Sequence, residues 1–259
     1  MRLVLLYFAV FALLSAQPSS PGYAAYERAN QQFIAGKYQD SLNAIDEALR
    51  LDPKLVPALT LKAKLAMAAN RYDVARESLE RAIAADPKSS YAQFLYGFQF
   101  YQQNQLPEAI AALERARALN PRDERAALYL GLARESIGET GPALALYRES
   151  IRLKESSDAL LACARLEMLL GDLDASARLI DRAIKADPHS RDPRFESARL
   201  LLKKGDAAQA AAEGEAALKL RAGDVTDRQV HYLLVQAYQL AGREADAEKH
   251  AQALRALEK

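Results

Sequence analysis

The sequence predicts an all-α protein, an α-solenoid built from seven helical hairpins and about fourteen helices. Three observations predict it. Alanine and leucine abound in a chain of 259 residues that holds only 11 glycines, a composition whose side chains lose little freedom on entering a helix. Helix-ending residues recur about every 34 positions, and small residues recur at fixed distances on either side of them. Half of the chain is hydrophobic, enough apolar material to fold without disulfides or metals.

The start of the chain departs from this pattern. Arg2 supplies a short positive end, Leu3–Leu14 is an uninterrupted apolar run, and Ser15 and Ala16 are small, so residues 1–16 are expected to be a signal peptide. Residues 17–22, rich in Ser, Pro and Gly, are expected to be a short linker. The apolar run would reach about 18 Å as a helix against roughly 30 Å of hydrocarbon, so export to the periplasm or the exterior is expected without stable membrane insertion. An uncleaved signal acting as an anchor is the alternative. Lys and Arg total 35 and Asp and Glu 34; Arg2 is the only charge in the first sixteen residues, so the rest of the chain is balanced. Nothing in that balance favours nucleic acid or an anionic membrane as partner.

Residues 23–259 carry the repeat. Pro53, Pro87, Pro121 and Pro188 each follow Asp or Asn and lie 34, 34 and 67 residues apart. Proline cannot continue a helix and pushes the residue before it out of helical geometry, so each marks the end of a hairpin. Seventeen residues upstream lie Gly36, Asn70, Asn104 and Gly171, and Gly138, Gly205 and Gly242 continue the phase. Gly and Asn most readily take the left-handed conformation that a tight turn between antiparallel helices requires. The hairpins are therefore expected near 22–55, 56–89, 90–123, 124–156, 157–190, 191–227 and 228–259, the boundaries drifting only at the end. In each, one helix of about fourteen residues precedes the turn and one follows it.

The small residues give the packing. Five positions after the turns stand Ser41, Ala75, Ala109, Ala143, Ser176, Ala210 and Ala247; seven before them stand Ala29, Ala63, Gly97, Gly131, Ala164, Ala198 and Val235. Helices approach closely only where side chains are small, so these rows are the expected crossing of each hairpin. A third row, Ala48, Ala82, Ala116, Ser150, Ala183 and Ala217, is expected to face the next hairpin.

The segments GKYQDSLNAIDEALRLDP, NRYDVARESLERAIAADP and NQLPEAIAALERARALNP resemble the second half of tetratricopeptide repeats. The likeness covers Tyr23 to the C-terminus. It implies a right-handed superhelix with the first helix of each hairpin, helix A, lining a concave groove, and a role in protein–protein contact. Departures are local: Tyr38 and Tyr72 keep the aromatic residue after the turn, whereas Leu106, Thr140, Leu173, Ala207 and Ala245 do not.

Little in the chain suggests catalysis. There is no Gly-rich phosphate loop, no G-x-S-x-G and no paired metal-ligand spacing, so an enzyme, a cofactor and a metal are not expected. His189 follows a helix end, His231 takes a helix A packing position and His250 a helix B surface position. Cys163, the only cysteine, falls on an apolar face and reads as a small buried hydrophobe.

In the resemblance, groove positions fall at the second, fifth, ninth and twelfth residues of helix A. They give Tyr23, Tyr26, Asn30 and Phe33, then Pro57, Thr60, Lys64 and Met67, then Tyr91, Phe94, Phe98 and Tyr101. The aromatic concentration stands out against a chain that is 7% aromatic. Candidate groove residues are Tyr23, Tyr26, Asn30, Tyr91, Phe94, Phe98 and Tyr101, with Arg165, Arg199 and Lys203 placed to hold a peptide carboxylate. Packing between hairpins, and a solvated charged face, are the plainer uses of the same residues. The chaperone-binding clamp of the family is matched only by Asn30, its other positions holding Tyr26, Leu61, Tyr91 and Leu95. The leading expectation is a scaffold that binds a peptide or protein segment of an envelope or secreted complex. Alternatives are a self-associating homo-oligomeric scaffold with a merely packed groove and, more distantly, an enzyme or carbohydrate-binding protein.

Overall fold

A computed structural model describes residues 20–257 of the chain. The signal assigned to residues 1–16, and residues 17–19 of the linker, lie outside the described residues. Among the described residues there are fourteen helices and no strand. The chain divides into two compact units, Met1–Pro121 and Arg122–Lys259. The first holds α1 (Pro21–Ile34), α2 (Tyr38–Leu51), α3 (Val56–Ala68), α4 (Tyr72–Ala85), α5 (Ser90–Gln102) and α6 (Leu106–Leu119). The second holds α7 (Glu124–Ser136), α8 (Thr140–Leu153), α9 (Ser157–Leu170), α10 (Leu173–Ala186), α11 (Asp192–Lys204), α12 (Ala207–Leu218), α13 (Asp227–Leu240) and α14 (Glu244–Ala256). These are seven hairpins, with the odd-numbered helices as A and the even-numbered as B. Helix α1 opens with Pro21 and Gly22, proline being tolerated in a first turn because its missing amide has no partner there.

All seven corners take the left-handed conformation, with φ between 57° and 94° at Gly36, Asn70, Asn104, Gly138, Gly171, Gly205 and Gly242. In each, the residue just after the corner donates its amide to the carbonyl five positions before it at 2.8–3.0 Å, as from Lys37 to Gln32, Glu139 to Arg134 and Arg243 to Tyr238. This bond satisfies a carbonyl that the helix end would otherwise leave open, and it turns the chain back on itself. The hairpins close as the prolines require: Asp52, Asp86, Asn120 and Asp187 sit at φ −136° to −140°, and the Asp52 and Asp86 carboxylates accept the amides of Lys54 and Lys88 at 3.0 Å.

The two expected crossing rows are buried, with only Val235 partly exposed. Their contact is close enough for hydroxyls to bridge it: Ser41 Oγ donates to the Ala29 carbonyl at 2.8 Å and Ser176 Oγ to the Ala164 carbonyl at 2.9 Å. The third row joins the core clusters shared with the next hairpin, Ala48 with Leu59, Ala183 with Leu200 and Ala217 with Leu234, and it also touches its own helix A. Ser150 Oγ donates to the Glu124 carbonyl at 2.8 Å, and a Cβ on Gly22 would lie 3.3 Å from the Ala48 carbonyl, so at these points the row seals the mouth of its own hairpin. The reason is length: helix B is long enough to reach back to the first residue of helix A.

Within each unit the A helices of neighbouring hairpins touch, α1 with α3, α3 with α5, α9 with α11 and α11 with α13, whereas no B helices meet to that extent. The A side is therefore the inner side of each unit. A helices bury most of their circumference, as in α3 and α9, while B helices bury one stripe, as Ser176, Ile180 and Ala183 do in α10. The core runs from hairpin to hairpin as successive clusters, one around Ile45, Leu59 and Leu65 and others around Tyr147, Ile180 and Leu234.

The wider spacing of the last repeats has a structural account. The segment before α13 is held by Arg191, a buried guanidinium that donates to the Leu220 and Val225 carbonyls at 2.6 and 3.1 Å and to the Asp227 carboxylate at 2.5 Å. The Asp192 carboxylate accepts the amides of Asp224 and Val225 at 2.9 Å. One isolated bridge, Ser190 with Ala222, accompanies this staple.

A paired substitution tests the crossing. A Cβ on Gly97 would lie 2.6 Å from Leu113 Cγ, whereas one on Gly141, in the first turn of α8, meets nothing within 4 Å. Gly97→Ala should cost about 1–3 kcal/mol and Gly141→Ala should add about 0.5 kcal/mol, read from chemical denaturation.

Candidate functional site

The inner face of each unit is what its A helices leave uncovered. In the first unit, α1 and α5 carry the aromatic residues and α3 runs between them, with Thr60 and Met67 buried. Tyr23 and Tyr26 have ring centroids 5.5 Å apart, and Tyr91, Phe94 and Phe98 stack in series at 6.4 and 6.1 Å. Lys64 Nζ lies 4.6 Å above the Phe33 ring, a cation–π contact. Burial, followed by the neighbouring Tyr23, Tyr91 and Glu27, holds the Tyr26 phenol above its usual range. The expected residues are thus together, but unequally available. Phe94 is 5% exposed and serves the core, Tyr26, Asn30, Tyr91, Phe98 and Tyr101 are half-buried, and Tyr23 is open.

In the second unit the expected cations prove to be engaged. Glu196, 4% exposed, lies on the inner face of α11, where Arg199 Nη1 donates to both of its carboxylate oxygens at 3.1 and 2.9 Å and Arg165 Nη1 stands 3.5 Å away. A carboxylate so far from water needs such partners. Arg165 and Arg199 therefore already hold a carboxylate, and it is the protein's own. Lys203 Nζ donates to the Met168 carbonyl at 2.6 Å, satisfying the last turn of α9. Around Glu196 the inner face opens a cavity of about 470 Å³ floored by Leu128, Leu161 and Phe195.

A second inner cavity, about 650 Å³, lies between α11 and α13. Helix α13 sends Arg228, Tyr232, Gln236 and Leu240 into it at successive turns, α11 supplies Phe195 and Leu202, and Leu254 comes from α14. Tyr232 is 69% exposed and Leu240 66%. Helical periodicity puts Tyr232 on the groove row without distinguishing it from its neighbours, and leaves Leu240 off that row. Their signal was large apolar residues four and twelve positions beyond Arg228 on a helix face otherwise lined by glutamine.

Behind that cavity the last hairpin holds a polar cluster. His250 is 3% exposed, against the surface position expected for it, because α14 turns this face onto α13 and α12. Its Nδ1 lies 2.9 Å from His231 Nδ1, and its Nε2 lies 3.0 Å from Glu215 Oε1, which also accepts the Tyr238 hydroxyl at 3.0 Å. Burial and then His250 hold the His231 imidazole below its ordinary value, Arg191 acting the same way and Asp227 and Glu215 opposing. Among the described residues no group of three or more His, Cys, Asp and Glu side chains is placed to hold a metal ion. Cys163 is buried on α9, and burial pushes its thiol up to about 11.

Two family models, both described as tetratricopeptide repeat, match the chain, one over residues 32–97 and the other over residues 99–158 and 161–225. The chain belongs to the tetratricopeptide repeat family. Members of this family generally mediate protein–protein contacts as non-catalytic scaffolds. Among solved tetratricopeptide structures, PilF of Pseudomonas aeruginosa is 18% identical, with a TM-score of 0.69 over 90% of this chain and 97% of that one. PilW, a widely conserved type IV pilus biogenesis factor, is 22% identical, with a TM-score of 0.70 over 77% and 93%. A tetratricopeptide protein of Thermus thermophilus is 22% identical, with a TM-score of 0.60 over 70% and 99%. At these identities the likeness is one of fold. No curated protein matches the chain. No helix among the described residues is long and apolar enough to cross a membrane.

His231, crowded by burial and by His250, sets a pH dependence. A lowered folded-state pKa means that the unfolded chain binds the proton more readily, so the stabilisation is complete above the ordinary imidazole value of about 6.5 and is lost as pH falls through it towards the folded-state value. The protection factors of amides in α13 and α14, with the intrinsic pH dependence of exchange divided out, should therefore fall as pH is lowered from roughly 7.5 to 5.5, and His231→Gln should flatten that response.

Proposed function

We infer that this tetratricopeptide protein is an exported adaptor that holds a peptide or protein segment against the inner, helix A face, in the service of an envelope or secreted complex. The observation that carries the reading is the cavity between α11 and α13, where Tyr232 and Leu240 stand open to solvent above the apolar side chains of Phe195 and Leu202. Large apolar side chains left open at a concave surface offer contact area at low entropic cost, and binding energy concentrates at such anchors. Arg199 and Lys203, being engaged within the protein, frame the cavity rather than drive binding. The favoured occupant presents an aromatic or aliphatic side chain to this cavity. The aromatic row of the first unit, with Tyr23 open and Tyr26 and Tyr91 half-buried, offers a further contact of the same kind.

Export rests on the leader-like residues 1–16, which would be removed or would anchor the chain. An envelope setting is supported by the fold shared with PilW, a type IV pilus biogenesis factor, and a protein or peptide partner is supported by the tetratricopeptide repeats themselves.

A photo-crosslinker at Gln236, used in the native cells, tests the assignment. It should capture a distinct protein, and Tyr232→Ala with Leu240→Ala should weaken binding of that protein about thirtyfold while melting shifts by less than about 0.5 kcal/mol. Crosslinks solely between copies of this chain would replace the adaptor by a self-associating scaffold, and undiminished capture by the double variant would end the assignment to this cavity.

A further inference from the structure

The outer face of the second unit holds a different site, independent of the inner groove. Helices α8 and α10 are the B helices of neighbouring hairpins, and between them, above α9, lies a cavity of about 680 Å³. Arg148 and Arg152 enter it from α8, one turn apart; Arg178 and Arg182 enter from α10, again one turn apart. Four guanidinia thus converge on one opening from two rods.

The protein neutralises only two of them. Arg148 Nη2 donates to Glu167 Oε1 at 2.6 Å, and Arg182 grips Glu155 with Nε and Nη2 at 3.3 and 2.7 Å. Arg152 and Arg178 form no ion pair among the described residues. Asp174, which senses the charge of Arg178, already binds Lys204 Nζ at 3.0 Å. The lining therefore has two uncompensated positive charges in a chain of formal net charge +1. Repulsion among the four cations opposes this arrangement, and an arriving anion relieves it. Between the two arginine rows the floor is apolar and partly open, made by Ile151, Leu179 and Ala175, with Cys163 buried beneath.

We propose that this cavity docks an acidic, partly apolar segment of a partner protein, its carboxylates on Arg152 and Arg178 and an apolar side chain on Ile151 and Leu179. The guanidinium fork matches a carboxylate bidentately, as Arg182 already does with Glu155. The apolar floor gives a segment something that a free phosphate ion would leave unused. A nucleic acid fits less well, because its backbone brings no aliphatic side chain to the floor of Ile151 and Leu179.

The purified protein, titrated against a fluorescent peptide of repeating Glu-Glu-Leu and read by anisotropy, tests this. Binding should weaken with salt, fall about tenfold in Arg152→Ala with Arg178→Ala, and persist in Tyr232→Ala, which touches only the inner groove. Arg152→Glu with Arg178→Glu should transfer the preference to a Lys-Lys-Leu peptide, an outcome that a misfolded variant would not give. Absence of binding, equal binding to the double alanine variant or equal binding of a Gln-Gln-Leu peptide would overturn the proposal. So would displacement of the acidic peptide by millimolar inorganic phosphate, which marks a small-anion site, or by a single-stranded RNA oligonucleotide, which marks a nucleic-acid site.

Discussion

The left-handed corner is the constraint on which the hairpins depend. An L-residue with a Cβ loses roughly 1–2 kcal/mol in that conformation, so the position selects Gly or Asn. What is gained is a reversal completed within three residues and a hydrogen bond that closes the end of helix A. Once the chain is reversed so tightly, the two helices must cross within a few residues of the corner, and whatever stands at the crossing must be small. The serine hydroxyls that bridge Ser41 to Ala29 and Ser176 to Ala164 mark how little room is left. The corner thus fixes the crossing row, and the crossing row fixes which stripe of each helix remains for the next hairpin.

The division of labour between faces follows from that geometry. Helix A is flanked by its own helix B, by the helix B of the preceding hairpin within the unit and by neighbouring A helices, so little of its surface stays open. A large apolar side chain that nevertheless remains open on it, as Tyr232 does, has no packing role to account for its exposure. Helix B keeps a broad solvated face, where charge can be carried without desolvation. The four arginines around Cys163 use that freedom, and because their helices do not meet, the space between them stays open.

What was legible in the sequence is what is local. Gly or Asn at a corner, Asp or Asn before proline and Ala or Ser at a crossing act within a few residues or at constant offsets, and all seven hairpins could be placed from them. The candidate groove was legible as a row, since helical periodicity assigns a face. Which members of the row were available was not, because availability depends on the adjacent hairpin: Phe94 is covered while Tyr232 is not. Charge pairing was least legible. Lys203 meets Met168 at a separation of 35 residues and His250 meets Glu215 at 35, so each partner belongs to the neighbouring repeat. Arg165 and Arg199 read as open cations because nothing local marks Glu196 as buried between them. The stapling of the segment before α13 by Arg191 was visible only as a drift in spacing.

Stability in such an array is a sum of hairpins and of the interfaces between neighbours, and the terms need not be equal. Helix α9 buries residues around most of its surface, including Leu160, Leu161, Leu166 and Met168. Helix α14 buries only Ala247 and His250, and the latter belongs to a polar cluster. A polar cluster orders its members through directional bonds but contributes less burial than apolar side chains of the same volume, so the last hairpin is held by geometry more than by hydrophobic area. The same hairpin provides α13, whose exposed face forms one wall of the inner cavity. The wall of that cavity therefore rests on the His231, His250 and Glu215 contacts behind it, and Tyr232 follows directly on His231, one member of that cluster.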